Sequence, residues 1–461
     1  MTRFGSLADA PASFVLVGAR LVDPSAGTDA VGDLAVLEGH LATLDQAGTD
    51  VPRVDASGLV AAPAFCDLHT HLRQPGGESA ETIESGTRAA AHGGYASVCA
   101  MPNTDPPLDE PARVAFVQSC AQDAAARVRV IAAATVGRAG ERMAPLGELA
   151  ELGVAGFSDD GAAIPSASLV RALLGYLAPL DLPLFEHAEE ASLADGTVMR
   201  AGPAATRLGL AGWPPSAELT IVERDIALAA ETGARLHLTH LSTAAALDAV
   251  RRAKSAGVRV TCDVAPHHLA MTDGWVAGER RFAWEDPGQD TAAPGGPLDP
   301  SLAYDGRCRV NPPLPARDDA LALLAGVADG SVDAIATDHA PHPPERKAVE
   351  FANAAPGMVG LETALSLGLS AVAAGRLDLS GLVSALSSRP AALIGETRTL
   401  AAGEVADLVV FDAVSRWRIE ADALASRSAN TPLIGMELPG IVRLTVASGR
   451  ITYLHDLAPL S

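Results

Sequence analysis

Residues 64–73 read Ala64-Phe-Cys-Asp67-Leu-His69-Thr-His71-Leu-Arg73. A short apolar run that turns polar at its far end has the pattern of a buried strand whose tip carries chemistry. His69 and His71 are two residues apart, so on a strand both rings project from the same side, and simple alternation puts Asp67 and Arg73 there too. A lone His-x-His is more often an ordinary polar strand end than a metal site, so its meaning depends on the rest of the chain.

Outward from this run the chain repeats one pattern. Further short apolar segments lie at 96–101, 128–134, 154–158, 182–187, 235–240, 258–264 and 333–337. Between them, Ala- and Leu-rich stretches such as 79–92, 111–126, 167–177, 216–232 and 244–256 read as helices. With 64–71, that is eight alternations of strand and helix, which predicts an α/β fold: a (β/α)8 TIM-type barrel. The ends differ. Strand-like pieces with turns between them occupy 14–60 and recur at 406–412, 442–447 and 450–453. Each group is too small to fold alone, so the two ends are expected to pair into one small β-sandwich domain. The expected division is 1–60 and 396–461 for the β domain and 61–395 for the barrel. A Gly/Pro/Asp-rich stretch at 275–302 is expected to be a lid or a loose insertion.

Composition narrows the partners. Lys plus Arg total 34 against 56 Asp plus Glu, a net charge of −22. Such a surface repels phosphate backbones and anionic lipid, so nucleic acid and membranes are excluded as partners and a small molecule is expected. The five cysteines are dispersed with no CxxC, which speaks against a disulfide framework and for a reducing, cytoplasmic setting. No signal peptide is read at the start, and the longest greasy region, 361–374, is interrupted and shorter than a membrane span.

Barrel enzymes work at the carboxyl-terminal ends of their strands. Here those ends carry Asp67, His69, His71 and Arg73; Asp159 and Asp160; Glu186 and His187; His237 and His240; and Asp338, His339 and His342. His187 or His240 alone reads as a satisfied core histidine and Asp338 alone as a helix cap, but five strand ends aimed at one rim point to a metal site. Imidazole and carboxylate donors suit Zn, Mn or Fe.

The motifs Asp67-Leu-His-Thr-His-Leu-Arg-Gln-Pro-Gly-Gly-Glu, Met101-Pro-Asn-Thr, Phe157-Ser-Asp-Asp-Gly, Glu186-His-Ala-Glu, His240-Leu-Ser-Thr, Ala265-Pro-His-His-Leu, Val310-Asn-Pro-Pro-Leu and Ala336-Thr-Asp-His-Ala-Pro-His occur in that order. Together with Gly360-Leu-Glu-Thr-Ala and Asn430-Thr-Pro, they resemble the signatures of dihydroorotases of the amidohydrolase superfamily along nearly the whole chain.

The resemblance implies a binuclear site of two divalent ions, usually zinc. His69, His71 and Asp338 would hold one ion and His187 and His240 the other, with Asp160 between them. Some relatives bridge their metals with a carboxylated lysine. This chain has two lysines, Lys254 in a helical stretch and Lys347 in a loop after the eighth run, so the Asp159/Asp160 pair must supply the bridge, with Asp160 preferred. The ions would activate water and polarise the ring amide, with Asp338 as the catalytic proton carrier. The resemblance also implies substrate contacts at Arg73, Asn103, Asn311, His342, Pro356 and Gly357, with Arg73 offering a fork to a carboxylate. It implies a homodimer and an association with aspartate transcarbamoylase. The chain departs from its relatives at Ala188, where many have Cys, and at Ala355-Pro356-Gly357, where Pro-Phe-Gly is common. Asp67 is expected to support the ligands, and His267 and His268 to be structural. The activity implied is reversible closure of N-carbamoyl-L-aspartate to dihydroorotate. The alternatives are another cyclic amidohydrolase, such as an allantoinase or hydantoinase, or a non-catalytic scaffold for aspartate transcarbamoylase.

Overall fold

The computed structural model describes residues 12–285 and 299–457. Eight parallel strands stand in sequential order: Phe65–Thr70, Tyr95–Ala100, Arg127–Ala133, Gly156–Ser158, Leu184–Glu186, Leu236–Leu238, Val260–Val264 and Ala334–Ile335. Each lies within the expected run or one residue beyond it. The last strand is the shortest because it is laddered on one side only, Asp263 against Ala334 and Val264 against Ile335. Closure onto strand one comes just beyond it, through a parallel bridge between Thr70 and His339 and a hydrogen bond from His71 N to His339 O.

Helices cover the outside, and some of them begin at side-chain caps. Ser166 accepts from Leu169 N ahead of Ala167–Leu177, and Thr243 accepts from Ala246 N ahead of Ala244–Ser255. Their apolar faces and the outward strand residues form one continuous core that includes Val98, Phe157, Leu173, Leu247 and Leu323. The barrel's interior holds a smaller core of Cys66, Leu68, Cys99, Met101, Ile131 and Phe185, closed below by Ala391 and Ile394. Each fully buried large side chain there contributes roughly 1.5–3 kcal/mol, so this plug is a rigid floor for whatever lies above it.

The two chain ends do pair. Phe14–Asp23, Thr28–Leu37, His40–Ala42 and Val60–Pro63 share one mainly antiparallel sheet with Leu408–Arg418, Glu437–Ala447 and Arg450–Leu454. The seam is Val60–Pro63 against Leu408–Arg418, with Val60 opposite Phe411 and Pro63 opposite Leu408. This sheet encloses its own core of Phe14, Leu16, Val36, Leu41, Leu408 and Val446.

The stretch at 275–302 is packed where it is described. Trp275 is fully buried and stacks on Phe282 at 6.0 Å, while the Arg280 guanidinium lies 5.1 Å from its ring centre. Residues 286–298 of that stretch lie outside the described residues. Among the described residues no helix is long and apolar enough to cross a membrane.

Candidate active site

One irregularity places the first two histidines. Pairing of strand one with strand two slips between Asp67 and Thr70, so three residues on one strand span two on the other. Leu68 packs with Cys66 in the interior core as alternation requires, yet His69, the very next residue, still reaches the pocket above it. Plain alternation would have put Asp67 beside His69. Instead its carboxylate faces strand eight, accepting from Thr337 N at 2.9 Å, from the Thr337 hydroxyl and from His69 N at 3.2 Å.

The pocket side chains gather into two buried clusters that share one carboxylate, His69–His71–Asp160 and Asp160–His187–His240. Asp160 Oδ1 lies 3.3 Å from His69 Nε2, 3.7 Å from His187 Nδ1 and 3.8 Å from His240 Nε2, while Oδ2 lies 3.7 Å from His71 Nε2. Asp338 Oδ1 is 3.1 Å from His71 Nε2 and 3.6 Å from His69 Nε2. All six residues are buried.

This donor set fits cations. Both ring nitrogens of His69, Nδ1 of His240 and Oδ1 of Asp160 are buried with no hydrogen-bond partner, a costly state for polar atoms unless something coordinates them. Electrostatics agree. Burial works against a charged His69, yet Asp160 and Asp338 lift its pKa to about 10. Burial alone would raise the Asp160 carboxyl, but His69, His187 and His240 hold it well below its ordinary range. The carboxylates demand positive charge at this spot, and divalent ions on neutral imidazoles would supply it.

The backbones of these residues are pinned by further buried carboxylates. Asp159, adjacent to Asp160, turns away and accepts from Thr135 N at 2.9 Å and from its hydroxyl, tying strand four to strand three. Asp263 on strand seven accepts from His240 N at 2.7 Å and faces His237 Nε2 at 2.8 Å. Glu218 accepts from Ser242 N at 2.8 Å and from the hydroxyls of Ser242 and Thr243, just after His240. Burial lifts its pKa to about 7.

Asn103 stands between two of the clustered residues. Its Oδ1 lies 2.8 Å from His71 Nδ1 and its Nδ2 donates to Asp160 Oδ2 at 3.1 Å. The amide thus puts the His71 proton on Nδ1 and leaves Nε2 free toward Asp338 and Asp160. Asn311 Nδ2 lies 3.3 Å from His187 Nε2 and 3.4 Å from Glu189 Oε1.

Arg73 is buried enough that desolvation lowers its pKa to about 10, so it stays protonated. It donates to Pro341 O at 3.2 Å, lies 3.5 Å from His342 Nε2, and forms no ion pair among the described residues. A half-buried guanidinium without a carboxylate partner is suited to receiving one. His342, kept neutral by burial and by Arg73 (pKa about 3), donates from Nε2 to Pro356 O at 2.8 Å. Gly357, at φ +125°, must be glycine, since a Cβ there would sit 2.5 Å from Ala340 Cβ. Asn430 Oδ1 accepts from His342 N at 3.0 Å, and its amide donates to Ala340 O and Gly357 O at 3.0 and 3.2 Å. His268 Nε2 donates to Pro312 O at 2.9 Å.

Three pocket residues adopt the left-handed region: Arg73 (φ +59°), His240 (+37°) and Asp338 (+47°). Non-glycine residues rarely do so, and where they do, the surrounding structure must impose it. Neither this strain nor the tie made by Asn430 has a local signal in the sequence.

Residues 58–246 match the family model described as "Dihydro-orotase-like". The chain is 43% identical over 442 residues to a dihydroorotase of Anaeromyxobacter dehalogenans, covering 95% of this chain and 96% of that one. It is 39% identical over 446 residues to a dihydroorotase of Geobacter metallireducens, covering 96% and 99%. Among solved structures, an L-hydantoinase (dihydropyrimidinase) from Arthrobacter aurescens shares the fold with a TM-score of 0.80 at 22% identity, covering 97% of each chain. A dihydropyrimidinase from Brevibacillus agri does so at 0.77 and 21%, covering 95% of this chain and 94% of that one. With identity at this level sustained from end to end of both sequences, the chain belongs to the dihydroorotase family.

Proposed function

We propose that this protein is a dihydroorotase, interconverting N-carbamoyl-L-aspartate and (S)-dihydroorotate plus water in pyrimidine synthesis. The observation that carries the reading is the pair of buried clusters sharing Asp160, in a chain about two-fifths identical to proteins named dihydroorotase. Two zinc ions would fit the pocket, one held by His69, His71 and Asp338 and the other by His187 and His240, with Asp160 available to both. Ions bound there would activate water and polarise the ring amide carbonyl.

The remaining steps belong to the chain's own residues. Asp338, held ionised by His71 and His69 against the effect of burial, accepts a proton from the attacking water. It returns that proton to the ring nitrogen as the C–N bond breaks. In the closing direction the transfers reverse. Arg73 binds the substrate carboxylate, and His342, Asn311 and the backbone at Pro356 and Gly357 border the ring. Asn103 sets the His71 tautomer and lies within reach of the same ring.

Hydantoinase-like chemistry is the second reading, since proteins of that name share the fold. It is disfavoured by Arg73, which has no ion pair among the described residues, and by the lysines, since Lys254 pairs with Asp333 at 2.6 Å and Lys347 is bound to backbone carbonyls. Neither offers a carbamate to the pocket. Turnover of dihydroorotate, hydantoin and allantoin, measured beside metal content in protein purified without chelator, tests the assignment. Selective turnover of dihydroorotate with about two ions per chain is expected. Bound metal with preference for hydantoin would move the assignment to the second reading, and no metal with no turnover would favour the scaffold. A homodimer belongs to the same reading and is tested by light scattering.

A further inference from the structure

Lys347 ends the short helix Pro344–Lys347 and is buried, 6% exposed. Burial pulls its pKa down to about 7, and a protonated amine there is tolerable only if each of its N–H donors is satisfied. Among the described residues it has no ion pair. Its Nζ donates instead to Ala355 O at 2.7 Å, Gly357 O at 2.8 Å and Arg309 O at 3.1 Å, one carbonyl for each N–H.

Those carbonyls come from the two segments that carry the ring contacts assigned above. Arg309 lies two residues before Asn311, and its carbonyl also accepts from Gly357 N at 2.9 Å. Ala355 and Gly357 flank Pro356, whose carbonyl receives His342 Nε2. Three carbonyl dipoles converging on one point repel each other unless a cation sits among them. A neutral side chain of similar volume would fill the space, but it would leave Ala355 O without a donor and leave Arg309 O and Gly357 O only the donors Gly357 N and Asn430 Nδ2.

We propose that Lys347 is a positioning residue for substrate: its ammonium clamps the 309–311 and 355–357 segments together and so fixes Asn311, His342 and the Pro356–Gly357 backbone around the ring. This rests on the dihydroorotase reading, because that reading makes those segments the ring's border. Lys347 forms no hydrogen bond or ion pair with any of the six clustered residues, so the clamp acts on binding and leaves the cations and Asp338 alone. Lys347 also lines a cavity of about 420 Å³ together with Arg307, His342 and Asn430, through which a small amine can reach the place its side chain vacates.

The test uses the full-length, metal-loaded protein with Lys347→Met and Lys347→Ala. For Lys347→Met the expected result is a KM for dihydroorotate raised roughly tenfold or more, with kcat within about threefold of the parent and unchanged metal content. Ethylammonium should lower the KM of Lys347→Ala several-fold, while propanol, of similar size but neutral, should not. Amide exchange in peptides spanning 305–311 and 353–359 should quicken by about tenfold or more in both variants, with the rest of the chain unaltered. Unchanged KM and unchanged exchange would overturn the proposal. So would a fall in kcat and melting temperature with KM intact, the mark of a merely structural lysine. If the parent protein itself fails to turn over dihydroorotate, the functional reading falls, and the exchange measurement still decides whether the clamp exists.

Discussion

Replacing Asn103 by alanine separates two roles that the pocket geometry superimposes. The side chain holds His71 Nδ1 at 2.8 Å and Asp160 Oδ2 at 3.1 Å, and both partners are assigned to the metals. A hydrogen bond to a charged group contributes about 1.5–3 kcal/mol, so loss of the Asp160 contact alone is enough to matter. The His71 contact adds the freedom of the ring to flip and present the wrong tautomer. Groups that orient ligands in this way change metal affinity by about 10–100-fold, or about 1.4–2.7 kcal/mol at 1.36 kcal/mol per decade. The assay is a competitive chelator titration of Asn103→Ala against the parent, with metal counted after dialysis and activity followed as metal is restored. Weakened affinity with activity partly regained at high metal is expected. Asn103→Asp should be worse than alanine, since it sets a second carboxylate against Asp160. Unaltered metal affinity in both variants, with only KM raised, would refute the reasoning and leave Asn103 a plain substrate contact.

Three further outcomes are expected. Asp338→Asn should abolish turnover while circular dichroism and the cooperative melt persist; near-normal kcat would remove its role as proton carrier. Arg73→Ala should raise KM for dihydroorotate by about tenfold or more with a smaller change in kcat, and an unchanged KM would mean that the carboxylate is held elsewhere. Glu218 links stability to pH. Burial raises its folded pKa from 4.5 to about 7, so between these values the folded state keeps a proton that the unfolded state releases. Stability should therefore fall as pH rises through that window and level off above it. Glu218→Gln should flatten the profile in urea melts, and an unflattened profile would place the titrating group elsewhere.

The strands were legible because a parallel barrel buries both faces of each one, leaving short apolar runs that stand out between Ala-rich helices. The polar strand ends were legible for the same reason: His69, His187 and His240 interrupt runs that are otherwise greasy. What alternation could not supply is the slip at Leu68 and His69, which depends on how strand two pairs, and the facing of Asp67, which depends on a threonine 270 positions away. Asn103 read as a substrate contact because nothing local places it between His71 and Asp160. Lys347 was useful in the sequence only as an absence from strand four. Its three carbonyl partners lie 8 to 38 positions away and are brought to it only by the folded structure.

Arg73, His240 and Asp338 hold a backbone shape that side chains resist, at about 1–2 kcal/mol each. At these positions heat tolerance and catalysis pull in opposite directions. A library selected only for survival at high temperature would drift toward glycine or asparagine at 240 and 338, gaining ruggedness while discarding the groups the reaction needs. Improving the stability of this enzyme therefore has to start in the helical shell or the terminal sheet, where comfort and chemistry do not compete.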